Sequence, residues 1–436
     1  LSVKNRQNGT LAKVEYQPRI IDVQLRRLLA DVPAVAINGP KAVGKSYTAS
    51  QFAAATINLD FPDERALTTQ NPARLDRMDK PLLIDEWQHL PSIWDRVRRA
   101  VDSGAAPGSF MLTGSAAPAQ GPLHTGAGRI VRLRLRPMSL AERQLVSPTV
   151  SLKRLLDGDR PEIGGTSSAG LEDYAEEITA TGFPGIRANP TSSRDDVLDG
   201  YLELIVKRDF PESGHAVRRP AALLSWLRAF AAATSSITSY SRILDAATSG
   251  IANKPSRMAT VAYRETLERL WLIDQVPAWE GRNHLSALTR SAKHHLADPG
   301  LAARLLGVSA EALLDKPNPD GLVLPRFGTL FGALFEGLAT LCVRVYAQAS
   351  SARISYLRTI KGSREVDLIA SRPDGRIVPI EVKLASAVDN SDVAHLLWLR
   401  DAMPDSVVDM IVLTSGPEAY RRPDGVAVVP LALLGP

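Results

Sequence analysis

The 436 residues are long enough for two or three domains, and 44% hydrophobic against 23% charged excludes a disordered chain. A net charge of +5 permits a nucleic-acid partner without requiring one, and the single cysteine, Cys342, excludes an intrachain disulfide and a thiolate zinc site. Without an apolar run of about 20 residues or a secretory h-region at residues 1–10, the expectation is a cytoplasmic protein with no membrane partner.

Residues 15–19 (EYQPR) are a Pro-marked entry, and 20–29 (IIDVQLRRLL) carry apolar residues at helical spacing. Residues 34–37 then read as a buried strand. Gly39, Pro40, Lys41, Ala42, Val43, Gly44, Lys45 and Ser46 form an unbroken G-x-x-x-x-G-K-S, and a helical stretch opens at Tyr47. Strand, Gly-rich turn and helix make a phosphate-binding loop, whose amides and helix N-terminus converge on an anion. Gly39 to Tyr47 are thus expected to bind ATP, with Lys45 reaching the β and γ phosphates and Ser46 contacting Mg²⁺.

Residues 56–60 read as a second strand. Residues 81–86 (PLLIDE) read as a buried strand whose tip carries two carboxylates: Asp85 to hold Mg²⁺ through water, Glu86 to activate the attacking water. A helix over 92–101 and a strand over 109–115 follow. At that strand's tip, Thr113 and Ser115 are candidate sensors of the γ-phosphate or ordinary turn residues. The alternation at 130–135 (IVRLRL) predicts a strand with one wet basic face. Just before it stands Arg129, a candidate arginine finger in its own subunit or in a neighbour of a homo-oligomer.

On these motifs the chain resembles the bacterial and archaeal AAA-type ATPases with a conserved C-terminal domain of unknown function. The matching segments are 16–22 (YQPRIID), the phosphate loop, 81–95 (PLLIDEWQHLPSIWD), 112–116 (LTGSA), 128–130 (GRI) and 135–142 (LRPMSLAE). The resemblance implies an AAA-type ATP-binding fold and a cytoplasmic ATPase, with no particular substrate. It extends to a Gly-Phe-Pro turn at 182–184 and a helix ending in Arg208-Asp209.

Residues 158–170 are rich in Gly and Ser and predict a mobile linker. Helices over 223–233, 238–247 and 256–270, then a strand over 271–276, suggest a winged helix-turn-helix. Its third helix would offer Lys254, Arg257, Thr260 and Arg264 to double-stranded DNA, although such modules also serve only for packing. His284, His294, His295 and Asp298 are expected to be structural, because adjacent strand residues point to opposite faces.

In the last third, a helix over 331–347, three strands over 353–383, a helix over 392–399 and a strand over 407–413 have the element order of the PD-(D/E)xK nuclease-like core. Asp367 should meet Glu381 across a turn, and Glu381 and Lys383 share a strand face. Asp367, Glu381 and Lys383 are candidate catalytic groups, and Glu336 with the two carboxylates is a candidate Mg²⁺ set.

The expected chain is α/β: a P-loop NTPase (AAA-type) parallel sheet over 12–145, a winged-helix-like middle over 171–325 and a restriction-endonuclease-like C-terminal domain over 326–436. ATP and Mg²⁺ are its expected cofactors. Its expected work is coupling ATP to DNA binding or processing, or alternatively switching a protein partner through an inactive nuclease-like platform.

Overall fold

The computed structural model describes residues 16–115, 126–212, 220–248, 257–281, 291–314, 328–359 and 363–436. In its first third, the short apolar runs become five parallel strands: β1 (Ala34–Asn38), β2 (Ala55–Asn58), β3 (Leu82–Asp85), β4 (Phe110–Gly114) and β5 (Val131–Arg134). They lie in the order β2-β3-β4-β1-β5. Side-chain alternation splits each strand between two cores. Val35, Ile37, Leu83 and Met111 face the main core, while Ala36, Ile84 and Leu112 face a second one that includes Trp94 of the helix Ser92–Asp102. Parallel pairing puts all five C-terminal tips on one edge, where the phosphate loop opens. β4 enters between β1 and β3, with Ala36 and Ile84 both opposite Leu112. The hydroxyls at its tip therefore stand between the loop and the Asp85–Glu86 pair.

The basic face of β5 is exposed at Arg132 but engaged further along. Arg134 and Arg136 reach Asp274 at 2.9 and 2.8 Å, and Arg344 joins them at 2.9 Å. Three guanidiniums hold the buried Asp274 carboxyl far below its ordinary range, against the opposing effect of burial. Alternating arginines look solvated in a sequence, but here they join three separate segments.

The middle described residues form the helices Leu171–Thr179, Thr191–Leu204, Pro220–Ala232, Tyr240–Ala247 and Arg257–Arg269, with short turns between some of them. Antiparallel bridges Ile273–Leu296 and Val276–Lys293 follow.

Two-residue β6 (Val150–Ser151) precedes the last third. There, β7 (Arg353–Arg358), β8 (Glu365–Ser371), β9 (Ile377–Lys383), β10 (Ile411–Thr414), β11 (Tyr420–Arg421) and β12 (Ala427–Pro430) form a sheet ordered β11-β12-β10-β9-β8-β7. β7-β8 and β8-β9 pair antiparallel; β9-β10 and β10-β12 pair parallel. Terminal β13 (Leu434–Gly435) returns to pair with β6.

Residues 158–170 are therefore not a free linker. They are docked on the C-terminal sheet, with Ser167 N donating to Pro417 O at 2.7 Å and Thr166 bridging Glu418. One further expectation is corrected. The helix Gly328–Ala349 contains a stretch, Thr329–Ala349, long and apolar enough to cross a membrane. In this fold 61% of its apolar window is buried, and Leu334, Phe335, Leu338 and Tyr346 are fully enclosed. They belong to a core that also holds Leu25 of the first third and Ile178 of the middle.

Candidate functional site

The phosphate loop closes because two glycines permit it. A Cβ on Gly39 would lie 2.2 Å from the Leu135 carbonyl oxygen, so only glycine fits without a backbone shift. Gly44 has φ of +97°, a left-handed value that a side chain would strain, and it leads into the helix Lys45–Ser50. Lys45 is 4% exposed, and its ammonium donates to the Gly39 and Pro40 carbonyls at 3.0 and 2.8 Å. Burial lowers its pKa to about 8, while Glu86 and Asp85 pull the other way. A triphosphate would add negative charge and hold that proton more firmly.

Ser46 Oγ donates to Asp85 Oδ1 at 2.6 Å, and the Thr113 hydroxyl donates to the same oxygen. Glu86 sits one residue beyond β3 in the left-handed region, φ 53°, which turns its carboxylate away from the strand. Gln88 donates to it, and Ser115 Oγ lies 3.4 Å from Oε1. Five predicted residues from three segments are thus brought to one edge. Hydroxyl and carboxylate oxygens are hard donors, and a Mg²⁺ held by few protein oxygens plus substrate phosphates fits that set.

The loop borders a cleft of about 1240 Å³, also lined by Tyr16, Pro184, Gly185 and Arg208. Sequence reasoning did not foresee how the middle segment reaches it. Asp209 accepts from the Lys41 ammonium at 2.5 Å, and the Tyr201 hydroxyl donates to the Lys41 carbonyl at 3.2 Å. The only signal in the sequence was the Arg208-Asp209 pair itself.

Arg129 is not brought to the loop. It precedes β5 at the opposite edge of the sheet and pairs with Asp102 at 2.8 Å. A finger in its own subunit is excluded by that position. In the middle segment, Thr260 is buried, so it cannot enter a DNA groove. Arg264 lies over the Tyr240 ring at 5.0 Å and beside Glu268 at 3.8 Å. Lys254, the side chain of Arg257, and His284 lie outside the described residues. His294 Nε2 donates to the Thr238 carbonyl oxygen at 2.7 Å, and Asp298 caps the helix Pro299–Leu306 through Gly300 N.

In the C-terminal sheet, Asp367 and Glu381 do become neighbours: Leu368 stands opposite Ile380, and Asp367 Oδ2 accepts from Val382 N at 3.0 Å. Lys383 approaches Glu381 at 3.4 Å. Burial, then the Asp367 charge, pushes the Glu381 carboxyl up to about 8. A residue that spacing did not reveal joins the predicted metal set. Lys293, 2% exposed at its side chain, places its ammonium 2.9 Å from Glu336, 3.2 Å from Asp367 and 3.8 Å from Glu365. The neighbouring carboxylates raise its pKa against burial. No group of three or more His, Cys, Asp or Glu arranged to hold a metal ion is found among the described residues.

Three family models match segments of the chain. A family model described as "AAA domain" matches residues 31–144. Models for domains of unknown function match 171–312 (DUF8612) and 331–434 (DUF4143). Uncharacterized proteins of Mycobacterium bovis and Mycobacterium tuberculosis are each 24% identical over 424 residues, covering 93% of this chain and 82% of theirs. Among solved structures, the Walker-type ATPase PABY2304 of Pyrococcus abyssi is 18% identical with a TM-score of 0.38, covering 65% of this chain and 94% of that one. The ORC2 protein of Aeropyrum pernix, in ADPNP–ADP complexes, is 16% identical with a TM-score of 0.25, covering 67% and 92%. Residues 31–144, with their phosphate loop and carboxylate strand, are an AAA-type P-loop domain.

Proposed function

We propose that the chain is a Mg²⁺-dependent ATPase that uses nucleotide turnover to switch the middle and C-terminal segments. The contact that carries this reading is Ser46 to Asp85 at 2.6 Å, which joins the two halves of the nucleotide site across β4. Lys45 would neutralise the β and γ phosphates as it leaves the Gly39 and Pro40 carbonyls. Ser46 and Asp85 would hold Mg²⁺, which supplies charge neutralisation on the phosphates. Glu86, restrained by Gln88, would orient water and accept its proton; Thr113 and Ser115 would fix the neighbouring hydrogen bonds. In the test, wild type hydrolyses ATP with Mg²⁺ and Lys45→Ala loses about 100-fold or more. Equal rates overturn the reading.

Two uses of that turnover are open to experiment. The Lys293 ammonium among Glu336, Asp367 and Glu365 supports a protein-partner switch with an inactive nuclease-like platform. Met258 and Val261, 79% and 41% exposed on one helix face, suit an apolar contact better than a phosphate backbone. The other use is DNA binding or processing, with a winged-helix-like middle and a nuclease-like C-terminal domain as the parts that would carry it. Mg²⁺-dependent cleavage of plasmid DNA that disappears in Asp367→Ala would establish that use. Its absence, with no salt-dependent DNA retention, would leave the platform.

A further inference from the structure

The nucleotide cleft is lined by more cations than the phosphate loop requires, and most are already engaged. Arg19 is buried and bonded to Glu142, the Val43 carbonyl and the Arg136 carbonyl. Arg187 is held by Glu177 at 2.5 Å. Lys41 is on Asp209, and Lys45 belongs to the loop itself. Arg208 differs. Its side chain is 67% exposed, and its pair is Glu212, one turn further on at 2.9 Å. An exposed pair at that spacing is weak and easily exchanged for a stronger anion.

The backbone under Arg208 is also unusual. Ile205–Asp209 is wound as π-helix between the helix Thr191–Leu204 and the short turn Phe210–Glu212. Such wide turns are uncommon and concentrate at functional sites. This one is fastened to the phosphate loop at the adjacent residue: buried Asp209 grips Lys41, and Tyr201 bonds the Lys41 carbonyl. Arg208 therefore rides on a segment anchored directly to the loop that holds the triphosphate.

We infer that Arg208, anchored through the Asp209–Lys41 contact, is the cation that this chain supplies in cis to the γ-phosphoryl group. The inference rests on the ATPase reading. In the step it serves, the oxygen of water bonds to the γ-phosphorus while the bond to the β–γ bridging oxygen breaks. The electron pair leaves on ADP, and the water proton passes to Glu86. Negative charge accumulates on the γ-phosphoryl and bridging oxygens, where Arg208 would exchange Glu212 for phosphate oxygens. Arg129, at the far edge of the sheet, has no route to this position in the same subunit.

The test compares wild type, Lys45→Ala, Arg208→Ala and Arg208→Lys for ATP turnover. It also compares their affinities for ADP alone and for ADP with aluminium fluoride. Arg208→Ala is expected to lose about 1,000-fold in kcat. Its ADP affinity should stay within about threefold of wild type, which also reports a folded site. It should lose the extra affinity for the aluminium fluoride complex, and Arg208→Lys should recover part of both losses. If wild type hydrolyses ATP, Lys45→Ala does not, and Arg208→Ala keeps its kcat within about threefold, the inference is overturned while the ATPase reading stands. A wild type without hydrolysis overturns both.

Discussion

Lys293 is the buried partner of the C-terminal carboxylates. It is nearly inaccessible to solvent, and its ammonium pairs with Glu336 at 2.9 Å and Asp367 at 3.2 Å. Removing one partner of a buried charge cluster leaves the others uncompensated, at a cost of about 3–5 kcal/mol. Lys293→Ala should therefore lower the denaturant midpoint of the full chain strongly, and Lys293→Met with Glu336→Gln should recover part of the loss. An unchanged midpoint in Lys293→Ala would show that the ammonium is not needed there. The sequence made Asp367, Glu381 and Lys383 legible because strand alternation and a turn fix their relation. Lys293 was invisible: it comes from a bridge-forming segment 74 residues before Asp367, and no local period links the two. The same holds for Asp209, whose partner Lys41 is 168 residues away.

At the scale of elements, the joint around Asp274 gives a pH prediction. Arg134, the last residue of β5, Arg136, two residues further on, and Arg344, from the helix Gly328–Ala349, hold this carboxyl ionised in the folded state. A depressed folded pKa contributes stability that is present above the unfolded value, about 3.9, and is lost as pH falls toward the folded value. Asp274→Asn should thus be destabilised most at neutral pH, by about 3 kcal/mol or more. The gap to wild type should narrow as pH drops below about 4. Chemical denaturation at pH 7, 5 and 3.5 checks this; a gap independent of pH would mean the carboxylate charge is not what holds the joint. Element types and order were largely readable, since β1, β3 and β4 are short apolar runs and the helices show their period. Which face each element presents was less so. Thr260 lies on a helix whose outward side carries Met258 and Val261, because the neighbouring helices choose the buried face.

For the whole molecule, the three predicted regions share one hydrophobic core, from Ile21 through Ile178 to Leu434. β6 pairs with β13, and Tyr174 OH accepts from Ala432 N at 3.1 Å, so the chain end is tied to segments near its first third. The first third is joined to the middle by direct ion pairs, Lys41 to Asp209 and Arg136 to Asp274. The proposed nucleotide-driven switch rests on that continuity. In the proposed mechanism Glu86, at the tip of the carboxylate strand, activates water for ATP hydrolysis. The most direct measurement is ATP binding and single-turnover hydrolysis by Glu86→Gln in the full chain. ATP affinity is expected near that of wild type, with turnover lower by about 100-fold or more. A variant that binds ATP and hydrolyses it at the wild-type rate would contradict it.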